Sequence, residues 1–394
     1  MSPNHAPELT LGQIFAALAV GTIAVLMIGV QPILLGELVE AKQVSLEGVG
    51  IVAMGEIVTL GLGVVLGDAV LPWSRLKLIT IVAAVLASSL DMLTLLAVGD
   101  GQLTAVRMAA GLAEGILIWG TTGVVVRTSN PARLSGIFFV VQTIAQAALG
   151  AALANLVIPH AGWKGGFMLL GGLTLLPCVL AFWQPPRLAP LASKVASGFR
   201  WSASTVLPLL VVFMQMATLG SFWAYLEPLG KAAGLDAQAA QTLIAGVLVM
   251  QVVGGIVATV AVRHLAVVPA LVAGSVVLAL ITTTVYQLPS GSALNFSIAC
   301  AVFGFVWLFL LPFHIGLAFR ADPSGRLSVL VPAAQLLGSA FGPLMASLVV
   351  QGEDATAVPM ISAAFAVAAG LVVLITRRHG KAITSQNSQP SKAF

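Results

Sequence analysis

Along the chain, long apolar runs alternate with short polar or Gly/Pro-rich breaks, twelve times over. Each run is about 20 residues, the length a helix needs to cross the hydrocarbon of a bilayer. The pattern predicts membrane helices at Ile14–Leu35, Leu46–Leu66, Leu76–Val98, Leu103–Val126, Leu134–Pro159, Gly165–Trp183, Val206–Leu226, Ala239–Val262, Val267–Leu288, Leu294–Phe319, Leu327–Val350 and Ala357–Thr376. Local signals support the starts. Ser45 precedes a run with Glu47 in its first turn, and Asp236 has the same place before a later one; such side chains accept from the unpaired N–H groups of a first turn. Met1–Gly12 holds no Lys or Arg and no cleavage-site pattern, so no signal peptide is expected.

Composition narrows the class. The 394 residues are 59% hydrophobic and only 8% charged, against about 25% charged in soluble domains. A mean hydropathy of +1.04 excludes a cytosolic enzyme, a secreted disulfide scaffold and a disordered chain. An outer-membrane barrel is excluded as well, because its strands alternate apolar and polar residues. The fold class is therefore all-α and polytopic. Cys178 and Cys300 both lie inside apolar runs. The net charge of +4 reads as loop charge facing anionic lipid, with no nucleic-acid partner.

The position of the cations sets the orientation. Fourteen of the 18 Lys and Arg, from Arg75 and Lys77 through Lys194, Arg200 and Arg320 to Lys392, fall on the side of the even-to-odd loops and the C-terminus. Lys42, Lys164 and Lys231 fall on the other side, and Arg107 lies within a span. The asymmetry places both termini in the cytoplasm. The longest polar break, Gln184–Ser204, carries Pro185, Pro186 and Pro190. It divides the chain into residues 1–183, a cytoplasmic linker 184–204 and residues 205–394.

The two parts repeat one another. Arg127-Thr-Ser-Asn-Pro-Ala-Arg133-Leu-Ser135 follows span four, and Arg320-Ala-Asp-Pro-Ser-Gly-Arg326-Leu-Ser328 follows span ten, at an offset of 193 (320 − 127). The same offset pairs Gly111 with Gly304 and Gly123 with Gly316. Twelve spans in two parallel six-helix repeats resemble the major facilitator superfamily over almost the whole chain. Arg107-Met-Ala-Ala-Gly111 resembles its Arg-x-x-x-Gly motif, and Gly67-Asp68 with Arg75 and Lys77 resembles its cytoplasmic latch. Gly220-Ser-Phe-Trp-Ala-Tyr225-Leu-Glu-Pro228 resembles the drug, sugar and nucleoside efflux branch of the proton antiporters. The chain departs from that branch at Gly29, where an acid often precedes Pro32 by three positions, and at Gly150, which lacks a following proline. The resemblance implies two pseudo-twofold-related bundles, no cofactor, a monomer, and a bacterial-type cytoplasmic (inner) membrane.

Ionisable groups inside a span are costly, so each is a site hypothesis. Glu56, Asp91, Arg107 and Glu114 are four such groups, all in spans two to four, with none buried in the second half. They are proton-coupling candidates, with an Arg107–Asp91 strut and a neutral packing acid as the competing readings. Arg107, Gly111 and Glu114 share a helix face, Arg107 lying about 10 Å nearer the outside. The offset carries Glu114 to Trp307 and Thr121 to His314, which predicts a midplane cavity with a carboxylate on one wall and an indole and imidazole on the other. Gln142, Gln146, Gln215, Gln251 and Gln335 are further substrate-cavity candidates, against inter-helix hydrogen bonding. Tyr225 and Glu227, where span seven ends, read as gate or surface residues. Asp68 and Arg75 are expected to form the latch.

No Gly-x-x-x-x-Gly-Lys loop is present, so ATP is not expected to drive the protein directly, and His and Cys are too scattered for a metal site. These features predict a secondary active transporter that moves a small organic solute by alternating access, coupled to protons and directed outward. A proton-coupled uptake symporter, a passive facilitator and a non-transporting receptor remain open. Three buried acids against one arginine favour a neutral, aromatic or cationic solute.

Overall fold

The computed structural model describes residues 9–188, 202–322 and 326–387. Lys194, Arg200, Lys392 and most of the linker lie outside the described residues. Twelve passes are built from α1 (Leu11–Glu40), α2 (Leu46–Val70), α3 (Leu76–Thr94), α4 (Asp100–Val125), α5 (Pro131–Ala152), α6 (Ile158–Thr174), α7 (Ala203–Ala224), α8 (Ala237–Ala261), α9 (Val267–Gln287), α10 (Ala293–Ala321), α11 (Arg326–Ser347) and α12 (Val358–Asn387). Both predicted starts are N-caps: Ser45 Oγ accepts from Gly48 N and Asp236 from Ala239 N. The connection from α5 to α6 is tighter than predicted. A π-helical turn at Leu153–Val157 runs straight into α6, and the chain reverses at Gly162, whose φ of 59° suits a residue without Cβ.

The outward surface carries exposed Leu62, Val65, Leu86, Val260, Leu280 and Leu371. These positions suit lipid contact, since the helices satisfy their own backbone. Within each half, glycine lets backbones meet. A Cβ at Gly111 would strike the Glu56 carbonyl of α2, and one at Gly304 the Val247 carbonyl of α8. Gly123 sits against Trp73 before α3, and Gly316 against Val267 opening α9. Offset-related glycines thus make equivalent contacts, so the internal repeat is physical as well as textual. Gly338 and Gly342 of α11 likewise press on the Phe213 and Ala217 carbonyls of α7.

The halves meet along α2 with α11 and α5 with α8, and through α1 with α7 and α8. Their ends are named here by the charge-based orientation, outer being the end with Lys42 and Lys231. Helix α1 is broken at Val25, and Gln146 Nε2 of α5 donates to the Val25 carbonyl at 2.7 Å. Pro32 lies four residues beyond Ile28 and has no N–H to give it. Trp223 Nε1 of α7 donates to the Ile28 carbonyl instead, at 3.2 Å, across the joint between the halves. The Tyr225 hydroxyl accepts from Gly50 N of α2 at 3.1 Å, nearer the outer surface. There the chain leaves α7 and forms a short helix, Leu226–Ala232.

Candidate functional site

Five helices of the first half converge on Arg107. Its NH1 donates to Asp91 Oδ1 of α3 at 2.7 Å, while NH2 is paired with Glu56 of α2 and lies 3.5 Å from Glu114 Oε1 of α4. Gln31 Nε2 of α1 donates to Glu56 Oε2 at 3.2 Å, and Thr174 Oγ1 of α6 to Asp91 Oδ2 at 3.1 Å. Phe167 of α6 lies 5.7 Å under the guanidinium. All four ionisable residues are buried, Arg107, Glu56 and Asp91 completely. Two polar atoms of this hub, Arg107 Nε and Glu114 Oε2, have no hydrogen-bond partner among the described residues. With every acid ionised the hub has a formal charge of −2, which a low-dielectric interior does not support.

The four predicted proton-coupling residues therefore meet in one cluster, and the strut between Arg107 and Asp91 is part of it. Gln31 and Thr174 belong to the same cluster and were not singled out in the sequence. Gln31 gave the usable signal, a polar residue within an apolar span. The predicted wall differs in detail. Thr121 Oγ1 donates to Ala17 O inside the first half, and Glu114 is enclosed with the hub instead of facing an open cavity.

In the second half His314 is also enclosed. Gln335 Nε2 contacts its Nδ1 at 3.3 Å, its Nε2 meets Gln215 Oε1 at 2.7 Å, and Gln215 Nε2 donates to Ser275 Oγ and Leu271 O. This chain is satisfied with the ring proton on Nε2, an inferred tautomer, and ties α7, α9, α10 and α11 together. Trp307 is only partly buried. It stands edge-on to Trp223 at 5.4 Å and to Phe303 at 5.9 Å, so an aromatic corner lies beside the joint with α1. Gln146 serves the α1 break, Gln142 is half-buried on α5, and Gln251 Nε2 is buried without a partner among the described residues.

Asp68 and Arg75 are exposed and form no ion pair with each other. The carboxylate of Asp68 acts on Arg127 instead, opposing the downward pull that partial burial exerts on that guanidinium. Arg127 stacks 4.5 Å over Trp73, which stacks on Trp119. The second half is also not free of buried charge. Glu227, in the short helix after α7, is fully buried.

No family model matches the chain, and no curated protein matches it in sequence. Solved structures do share its shape. The nucleoside transporter NupG superposes with a TM-score of 0.72 at 11% identity, covering 92% of this chain and 99% of that one. A bacterial homologue of the human lysosomal transporter Spinster, inward-facing and occupied, gives 0.65 at 13%, covering 93% and 96%. The xylose transporter XylE from E. coli, partially occluded and inward-open, gives 0.67 at 15%, covering 91% and 98%. The chain has the major facilitator fold, twelve membrane helices in two six-helix bundles.

Proposed function

We propose that the protein is a secondary active transporter that exports a small aromatic or cationic solute across the cytoplasmic membrane in exchange for protons. The observation that carries the reading is the buried hub, in a fold shared with transporters of nucleosides and of xylose. Three carboxyls around one guanidinium take up and release protons at little structural cost, because Arg107 holds Asp91 and Glu56 in place throughout. Glu114 is the least tied of the three, with the longest contact to Arg107 and one oxygen unpaired; it is the group assigned the mobile proton. The Trp223–Trp307 corner supplies an aromatic face for the solute. Outward direction rests on the resemblance of Gly220–Pro228 to the antiporter branch.

Alternating access follows from how the halves are joined. Contacts that close the molecule involve Ile28, Gly50, Tyr225 and Trp223 towards the outer end, a pattern suited to an inward-facing state. Each half is a stiff unit, so a rocking motion breaks these few contacts and leaves the hub intact. The test is proton movement in liposomes containing the purified protein. Addition of aromatic, nucleoside-like or cationic solutes is expected to drive proton flux in the wild type. Glu114→Gln is expected to abolish the solute-evoked flux. Wild-type protein that moved neither protons nor any solute of such a panel would refute the reading.

A further inference from the structure

A second group of charges sits between the halves, away from the hub. Glu37 and Glu40 come from the outer end of α1, Glu227 and Lys231 from the short helix Leu226–Ala232, and Gln241 from α8. Lys231 Nζ lies 2.5 Å from Glu40 Oε1 and 2.8 Å from Glu227 Oε1. Gln241 Nε2 donates to Glu37 Oε1 at 2.7 Å and to Glu227 Oε1 at 3.3 Å. Glu227 Oε2 has no partner among the described residues and is closed off by Gly36 of α1, whose missing Cβ leaves just the space it fills. Its surroundings from α8 are Gln241, with Asp236 engaged in capping, while α10 packs against Gly230 of the short helix through Phe296. Among the described residues Lys231 is thus the one cation facing three carboxylates here, and Glu227 is the one of the three with no exposure at all.

A proton site drives a conformational change only if its surroundings differ between the two states. The hub lies inside one half, but Glu227 lies on the seam. Parting of the outer ends removes Gly36, Glu37 and Glu40 of α1 from it and admits water. We propose that Glu227 is a proton-binding site of the outer gate: a proton taken from the outside closes the gate, and its loss lets the gate open. This rests on the alternating-access reading. Glu227 stands beyond the last residue of the seventh apolar span. Burial pushes its carboxyl up to about 7, with Lys231 and Gln241 opposing. The sign follows. A carboxyl raised in the closed state favours closure at low pH, and that preference is lost as pH rises through the raised value.

The experiment measures the distance between spin labels on the outer loops, at Leu96→Cys and Ser290→Cys, in full-length C178S/C300A protein in lipid nanodiscs. Both positions are exposed. In otherwise wild-type protein, the population with outer ends apart is expected to rise roughly tenfold from about pH 5.5 to about pH 8.5. Glu227→Gln is expected to stay closed at both. Lys231→Met, which removes the cation favouring the charged form, is expected to move the midpoint up by about one pH unit, and it reads the site even where Glu227→Gln folds poorly. A pH response that persists in Glu227→Gln, or a Lys231→Met midpoint that does not move, overturns the proposal. Outer ends that part equally at every pH overturn it and leave alternating access standing. Outer ends that never part overturn both.

Discussion

Arg107 is the only cation within reach of Glu56, Asp91 and Glu114 among the described residues, and it serves two of them through separate nitrogens. Its removal leaves buried carboxylates without a counter-ion. Arg107→Met is therefore expected to cost on the order of 3–5 kcal/mol, read as a fall in the detergent melting temperature. Arg107→Lys is expected to recover only part, because one ammonium cannot place two planar donors on Asp91 and Glu56 together. Combining Arg107→Met with Glu56→Gln is expected to cost less than the sum of the two, the mark of a shared interaction. These four residues were legible in the sequence because charge is so scarce in the spans. Their convergence was not, since it depends on the rotation of α2 and α3 about their axes. The burial of Glu227 was illegible for a related reason. At a span's end it reads as a gate or surface residue, and only the approach of α1 at Gly36 encloses it.

Among the elements, the close approach of α4 to α2 and of α10 to α8 depends on Gly111 and Gly304. A side chain at either must push a backbone carbonyl aside. Gly111→Val and Gly304→Val are expected to destabilise the protein by similar amounts, about 1–3 kcal/mol each. Gly172→Val and Gly246→Val, where nothing lies within 4 Å of a Cβ, are expected to leave the melting temperature nearly unchanged. Equal effects at offset-related sites and silence at the controls would tie the sequence repeat to packing. The break in α1 was less legible. The helix runs through Pro32, as the predicted span Ile14–Leu35 does, although proline removes a backbone donor; it breaks at Val25, where Gln146 donates to the carbonyl. A donor from another helix satisfies the carbonyl at the break, and no local pattern records it. Gln146→Leu, which leaves the Val25 carbonyl unpaired, is expected to cost about 1–3 kcal/mol.

At the scale of the whole molecule, twelve spans and two halves follow from apolar run lengths and one offset, but the joint between the halves does not. Besides the α2–α11 and α5–α8 seams, it includes the place where α1 meets α7, and there a proline in one helix is matched by an indole in the other. Pro32 cannot donate to the Ile28 carbonyl, so Trp223 Nε1 is free to, and this bond spans the joint on its outer side. Trp223→Phe keeps an aromatic ring at the corner with Trp307 and removes the donor. With the carbonyl unpaired only when the joint is shut, the closed state loses about 1 kcal/mol, roughly a fivefold shift toward opening. Ser347 of α11 is buried beside Gly50 at this joint, so Ser347→Cys reports opening through its rate of reaction with a membrane-impermeant maleimide. That rate is expected to rise roughly fivefold in Trp223→Phe. Pro32→Ala supplies an N–H that competes for the Ile28 carbonyl, and it is expected to raise the rate in the same direction. Adding Trp223→Phe to Pro32→Ala should then raise it little further, because both changes act on one acceptor. Fully additive effects would mean that the two residues act on the joint separately, and the indole–carbonyl bond would no longer account for its closure.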